Sequence, residues 1–299
     1  MNVFQANICL LCVTFCWSTE VILFACIPDS VSPFATTCIT SFVGGILLFL
    51  CFARRVTAAC KEHGKKIIKY VLALAGMNTV YNLFYIFGLR YFDVSTGAFT
   101  ISMTVVILPV ILLTLRQKTS VRTWLSAGLV FAGILVVLIR NASVGQFWGI
   151  VFMVLGCIVR AFYIVTLNKA ASLFDSLALS SLISLSVGAI AFVPWIITQP
   201  AVFAAVPWNK EIIASIAIYS YFIVALAQTL NIAAQKKSTP ANATIIYSME
   251  IVFSIIWGAV LPSSIITPVK ITLLMMIGAV LVISGNIIEI LPFGRTDET

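Results

Sequence analysis

The sequence predicts an all-α integral membrane protein: ten transmembrane helices in two inverted-topology five-helix repeats. Three observations predict it. The 299-residue chain is 61% hydrophobic and only 9% charged, whereas soluble chains carry about 25% charged residues. The apolar residues fall in blocks of about 20, the length that crosses a hydrocarbon layer as helix. Ten such blocks use most of the chain, five before residue 143 and five after it; homologous halves with an odd helix count must insert in opposite orientations. The blocks are apolar all round, unlike the alternating strands of a membrane β-barrel. The connecting segments are too short for a folded soluble domain of about 50 residues, and no G-x-x-x-x-G-K-S/T stretch is present, which removes pumps that carry their own ATPase domain.

The helices are expected over roughly 4–27, 33–53, 67–89, 95–115, 121–139, 147–168, 177–198, 211–234, 240–261 and 269–291. The first reads as an uncleaved span, because it lacks a basic leading segment and its apolar run exceeds the roughly 7 to 15 residues of a secretory signal. A basic loop, 54–69, separates the second from the third. The fourth follows Ser95-Thr96-Gly97-Ala98, which is echoed by Ser238-Thr239-Pro240-Ala241 ahead of the ninth. Pro240 falls in a first turn, where proline merely starts a helix, whereas Pro109 in helix 4 and Pro194 in helix 7 free a backbone carbonyl and permit bending. Ser126 and Gly133 in helix 5 are seven apart, as are Gly278 and Gly285 in helix 10. Small residues let helix backbones approach closely in lipid, so these faces should pack. The echoes recur in the same order and divide the chain into repeats 1–142 and 143–299, forming one membrane domain.

Lysine and arginine counted by alternate loops give the orientation. One side holds Arg54, Arg55, Lys61, Lys65, Lys66, Lys69, Arg116, Lys118, Arg122, Lys169, Lys236, Lys237 and Arg295, thirteen in all; the other holds Arg90, Arg140, Lys210 and Lys270. Both termini are therefore expected in the cytoplasm, with the chain in the plasma membrane. The net charge of +8 is chiefly this orientation signal, in preference to a nucleic-acid or lipid-binding role for 54–69. No nucleic-acid partner is expected, and a monomer is favoured. Seven cysteines (Cys9, Cys12, Cys16, Cys26, Cys38, Cys51 and Cys157) fall in or at the ends of spans, with Cys60 in the basic loop. The Cys9-x-x-Cys12 spacing formally fits a redox or zinc site, but the cysteines read as small apolar packing residues. The single histidine, His63, lies in that same loop, so no metal or cofactor is expected.

A charge near the bilayer centre costs roughly 2.5 to 3.5 kcal/mol on insertion scales, so it needs a partner or a function. Glu20 in helix 1, Arg160 in helix 6 and Glu250 in helix 9 qualify, whereas Glu289, close to the end of helix 10, should reach the interface. Two readings stand: Arg160 pairs with Glu250 or Glu20 and fixes packing, or the three charges line a substrate or proton pathway. The second is preferred for a transporter-like repeat. A carboxylate and a guanidinium facing one cavity would hold the amine and carboxylate of a zwitterion, and Glu250 or Glu20 would carry a coupling proton. Asn78 and Asn82 share a face of helix 3 with Tyr81 and Tyr85 nearby, and Gln228, Asn231 and Gln235 share a face of helix 8. Of these, Asn82, Tyr85 and Gln228 are the amide and aromatic candidates for the pathway. Buried amides also glue helices, the reading favoured for Asn231 and Gln235. Trp17, Tyr163 and Tyr247 complete the candidate set as an apolar or cation-accepting wall.

The chain resembles the ten-helix EamA-type transporters of the drug/metabolite transporter superfamily. The resemblance rests on Phe15-Cys16-Trp17-Ser18, Asn82-Leu83-Phe84-Tyr85, Leu89-Arg90-Tyr91, Ile107-Leu108-Pro109-Val110 and Met249-Glu250-Ile251-Val252-Phe253. The last is similar to the family's Glu-Pro-Val segment. Three departures stand out: Ile251 follows Glu250 where the family usually has proline, helix 9 ends Leu261-Pro262-Ser263 in place of Leu-Gly-Glu, and the first half has Leu115-Arg116-Gln117 where Gly-Glu is common. The resemblance implies a secondary active transporter of a small metabolite, with export of amino acids or related compounds expected first and organic-cation or drug uptake or exchange second. Readings from other classes fit less well. A membrane-embedded enzyme acting on lipid-linked substrates would need an interfacial catalytic cluster, and a non-transporting sensor or assembly protein would need an output domain or long loop.

Overall fold

A computed structural model describes residues 1–20, 23, 27, 31–89, 91, 102–117, 119–141, 147–199, 206–261 and 272–291. The readings made on Cys26, Arg90, Ser95, Thr96, Gly97, Ala98, Lys118, Pro262, Ser263, Lys270 and Arg295, and on the Arg140 side chain, lie outside the described residues. Among those described, the chain forms ten helices. These are α1 Val3–Ser18, α2 Pro33–His63, α3 Lys65–Leu89, α4 Thr104–Thr114, α5 Val121–Asn141, α6 Phe147–Leu173, α7 Ser176–Thr198, α8 Lys210–Gln235, α9 (α9a Pro240–Tyr247 and α9b Met249–Val260) and α10 Leu273–Ile290. Seven are long and apolar enough to cross a membrane, and three shorter apolar helices begin at Val3, Thr104 and Val121.

Their starts follow from local chemistry. Asn2 caps α1 with a reciprocal capping box through Gln5, Asp175 accepts from the first amides of α7, and Asn209, Thr239 and Thr272 cap α8, α9a and α10. Each such cap satisfies amides that the helix itself leaves without partners.

The packing has the two-fold pattern of an inverted repeat. Helices at the same place in the two halves lie on each other: α2 on α7, α5 on α10 and α4 on α9a. Several further contacts come in matched pairs, α3 on α6 with α8 on α1, α3 on α7 with α8 on α2, and α4 on α6 with α9 on α1. Backbones approach where small residues allow it. The Ser181 hydroxyl donates to the Gly45 carbonyl at 3.1 Å across α2 and α7. A methyl group added at Gly133 would lie 2.7 Å from the Gly278 carbonyl, and one at Gly285 2.8 Å from the Ser126 carbonyl; α5 and α10 thus pack through the four small residues that mark their faces. Large apolar side chains such as Leu50, Leu125, Ile197 and Val280 are exposed on the outside, as required of a surface whose solvent is lipid.

Four local expectations change. The basic segment after the second span is helical, not a loop: α2 departs from helical geometry at Phe52 (φ −128°, ψ 27°) and resumes to His63. Val56 and Ala59 recur at helical spacing and are buried, which holds this second leg, with Cys60 and His63, against the bundle. His63 packs its ring on Phe174, 4.9 Å between centroids. Two spans are also less regular than expected. Helices α4 and α7 continue through Pro109 and Pro194, whereas α8 is π-helical over Tyr219–Ala227 and α9 is interrupted at Ser248. Finally, Glu289 is buried and accepts from the Thr123 hydroxyl at 3.3 Å; it faces α5 instead of reaching the interface.

Candidate substrate site

The three charges expected at membrane depth come together where α1, α3, α6, α8 and α9b meet. Arg160 Nη2 on α6 lies 3.8 Å from Glu250 Oε2 on α9b, with 13% and 17% of their side chains exposed. That distance makes an ion pair without a hydrogen bond. Glu20 follows the end of α1, and its Oε1 accepts from the Tyr219 hydroxyl at 2.7 Å. It lies in electrostatic range of both Glu250 and Arg160. The partner of Arg160, left open by the sequence, is therefore Glu250.

Aromatic residues wall the cluster. The Arg160 guanidinium stands 5.9 Å from the centroid of the Tyr81 ring, within cation–π distance. Tyr81 packs on Tyr163 with centroids 5.9 Å apart, and the Tyr163 hydroxyl accepts from Gln228 Nε2 at 2.7 Å. Tyr85, one turn along α3 from Tyr81, senses both carboxylates. Trp17 meets Tyr247 at 5.1 Å. Asn82 is the candidate turned to a neighbour on its own helix, donating to Asn78 Oδ1 at 3.0 Å.

Arg160 also borders a small cavity lined by Ser102, Thr104, Thr244, Tyr247 and Ser248, with room for about one water molecule. The backbone beside it tightens in both repeats. Val105 and Val106 donate to Ser102 and Met103 at 3.0 Å as α4 begins, and Ser248 and Ile251 donate to Ile245 and Ser248 at 3.1 Å within α9. At the start of α4 such three-residue steps are an ordinary helix terminus, whereas the one at Ser248 interrupts α9 in mid-course, the kind of break that often accompanies a hinge. Sequence reasoning missed Tyr219 and these hydroxyl residues. Ser102 with Thr104 and Thr244 with Ser248 are short polar pairs in apolar runs, and that was the available signal.

Between this cluster and the end of the bundle carrying Lys169, Lys236 and Lys237 lies a layer of amides, buried except for the half-buried Asn168. Asn168 Nδ2 donates to the carbonyls of Gln235 and Ser238, each at 2.8 Å. Asn242 Nδ2 donates to Asn7 Oδ1 and to Ser238 Oγ, each at 2.7 Å. Gln235 Nε2 donates to the Tyr247 hydroxyl at 2.9 Å, which in turn donates to Asn231 Oδ1. Asn231 and Gln235 thus join helices, and Tyr247 belongs to both the wall and this layer. The network ties α1, α6, α8 and α9 together.

Ten helices in paired repeats around a buried charged cluster define the class: a multi-pass membrane transporter. The model of the EamA-like transporter family matches residues 5–139 and again 147–288. The chain belongs to that family, and with it to the drug/metabolite transporter superfamily. A crystal structure of a protein 16% identical in sequence superposes with a TM-score of 0.76, covering 95% of this chain and 97% of its own; at that identity the likeness concerns the fold. No curated protein sequence matches.

Proposed function

We propose that the protein is a secondary active transporter that moves a small amine-bearing metabolite by alternating access, with export of amino acids or related compounds as its first role. The observation that carries this reading is the buried cluster of Glu20, Arg160 and Glu250. With all three ionised it holds two negative charges and one positive, so it is short of one cation. A zwitterionic substrate would place its carboxylate on the Arg160 fork, displacing Glu250 from its 3.8 Å contact. Its ammonium would then lie against a carboxylate and the tyrosine faces. The zwitterion is neutral as a whole, so the competition is local: a proton on Glu20 or Glu250 removes the carboxylate charge that the ammonium would face, which couples the two ligands.

One observation favours a second reading, exchange of organic cations. Among the described residues Glu20 forms no ion pair and is held by a tyrosine hydroxyl, with Tyr81 and Tyr85 in its electrostatic range. A quaternary or protonated amine fits such a carboxylate-and-aromatic cage without needing Arg160. The thirteen-to-four distribution of basic residues supports cytoplasmic termini in the plasma membrane; the amide layer then closes the cytoplasmic side. The charged groups sit inside the bundle, which supports a transport pathway over a catalytic site at the membrane interface.

The test is a thermal-shift screen of the purified protein against amino acids, polyamines, quaternary amines and nucleosides. A ligand of the folded state raises its apparent stability. Amino acids stabilising the wild type, with the effect lost in Arg160→Gln, support the first reading. Stabilisation by quaternary amines that survives Arg160→Gln and is lost in Glu20→Gln supports the second. Stabilisation by nucleosides alone contradicts both.

A further inference from the structure

The corner between α2 and α3 has a form that an orientation signal does not require. Beyond the break at Phe52, α2 continues as a second leg whose inner face, Val56 and Ala59, is buried in the same core as Ile67 and Val71 of α3. Its outer face carries Arg54, Arg55 and Lys61. Gly64, at φ +48°, turns the chain directly into α3, whose first turns present Lys65, Lys66 and Lys69. All six cations are exposed. The stretch 53–69 contains one acid, Glu62, which sits beside His63. Arg55 approaches Asp175 at 3.8 Å, and the other five form no ion pair among the described residues. On the membrane side of this ridge, Phe49, Leu50 and Phe52 of α2 and Ile68 and Leu72 of α3 are exposed.

We propose that this corner binds the headgroups of anionic phospholipids. The exposed apolar residues mark where acyl chains lie, and the cations next to them stand at the depth of the phosphates. Rigid helices hold the charges in place, and their acidic neighbours are too few to neutralise them. Four or more basic residues beside a membrane span attract anionic headgroups, and arginine and lysine both pair with phosphate. Orientation alone would be met by the same number of charges on a disordered loop. The inference rests on the chain spanning a membrane and not on the proposed substrate.

The experiment is native mass spectrometry of the purified full-length chain titrated with phosphatidylglycerol or phosphatidylcholine. The expected result is preferential retention of phosphatidylglycerol. Lys65→Gln/Lys66→Gln should weaken it about 25-fold, at about 5-fold per charge, while leaving phosphatidylcholine unchanged; Lys65→Arg/Lys66→Arg should restore it. The pair Lys236→Gln/Lys237→Gln removes the same charge at the same end of the bundle and should have no effect. Equal binding of the two lipids, equal loss from both glutamine pairs, or displacement of the lipid by an equimolar oligonucleotide would overturn the proposal. None of these readouts depends on transport, so failure here leaves the proposed function standing.

Discussion

Arg160 and Glu250 are separated by 90 positions in the chain and meet at 3.8 Å in the interior. Taking away one member of a buried pair strands the other charge, at about 3–5 kcal/mol, whereas neutralising both is much less costly. Arg160→Gln and Glu250→Gln are therefore each expected to lower the melting temperature of the purified protein, and Arg160→Gln/Glu250→Gln to recover most of the loss. Equal destabilisation in all three would mean that the pair is not coupled. A second residue-scale prediction concerns Arg116, at φ 57°. It follows α4 in a Schellman turn, with the Gln117 amide donating to the Leu112 carbonyl and that of Arg116 to Leu113, each at 2.9 Å. A side chain in this left-handed conformation costs about 1 kcal/mol or more relative to glycine. Arg116→Gly should accordingly stabilise the protein by about 1 kcal/mol in a thermal or denaturant titration, and a loss of stability would contradict the assignment. What the sequence disclosed at this scale was chemistry by depth: a charge in an apolar run is visible in one dimension. Tyr219 escaped notice because its partner, Glu20, lies 199 positions away and a tyrosine in an apolar helix carries no such mark.

The spans themselves were legible because a 20-residue apolar block is a physical minimum for crossing lipid as helix. Their irregularities were not. Among the described residues they occur at Phe52, in the π-helical part of α8 and at Ser248, stretches in which the sequence has neither proline nor glycine to mark them. The second leg of α2 was hidden for a different reason: its apolar positions number too few to outweigh the charges around them. Where close packing was read from small residues, a sharp contrast is available within one helix. A methyl at Gly133 would press on the Gly278 carbonyl at 2.7 Å, whereas one at Gly128 meets nothing within 4 Å. Gly133→Ala should destabilise the α5–α10 contact by about 1–3 kcal/mol, and Gly128→Ala should be neutral or slightly stabilising through helix propensity. Paired melting curves decide it; equal behaviour of the two variants would refute the packing.

At the scale of the whole molecule, alternating access requires that one end of the bundle be closed by contacts that can be broken. The amide layer of Asn7, Asn168, Asn231, Gln235 and Asn242 meets that description, because hydrogen bonds between polar side chains contribute only about 1 kcal/mol each. Removing Asn168 and Asn242 together takes away four of these hydrogen bonds and should speed amide hydrogen exchange in α9a by at least about 10-fold while leaving the α5–α10 pair unchanged. An unaltered exchange rate would show that the layer does not hold that end shut. The inverted repeat was visible in the sequence as an odd helix count per half and a few short echoes, whereas the helix pairing across the pseudo-axis emerges only in three dimensions.

The central claim, that the Glu20, Arg160 and Glu250 cluster binds the transported substrate, is tested most directly by counterflow of a labelled amine-bearing metabolite chosen by the thermal-shift screen. The assay uses vesicles carrying either the wild type or Arg160→Gln/Glu250→Gln. The prediction is accumulation of label by wild-type vesicles and its reduction to the level of empty vesicles by the double variant, despite a melting temperature close to that of the wild type. Undiminished counterflow in the double variant would contradict the claim and leave the ion pair as packing alone.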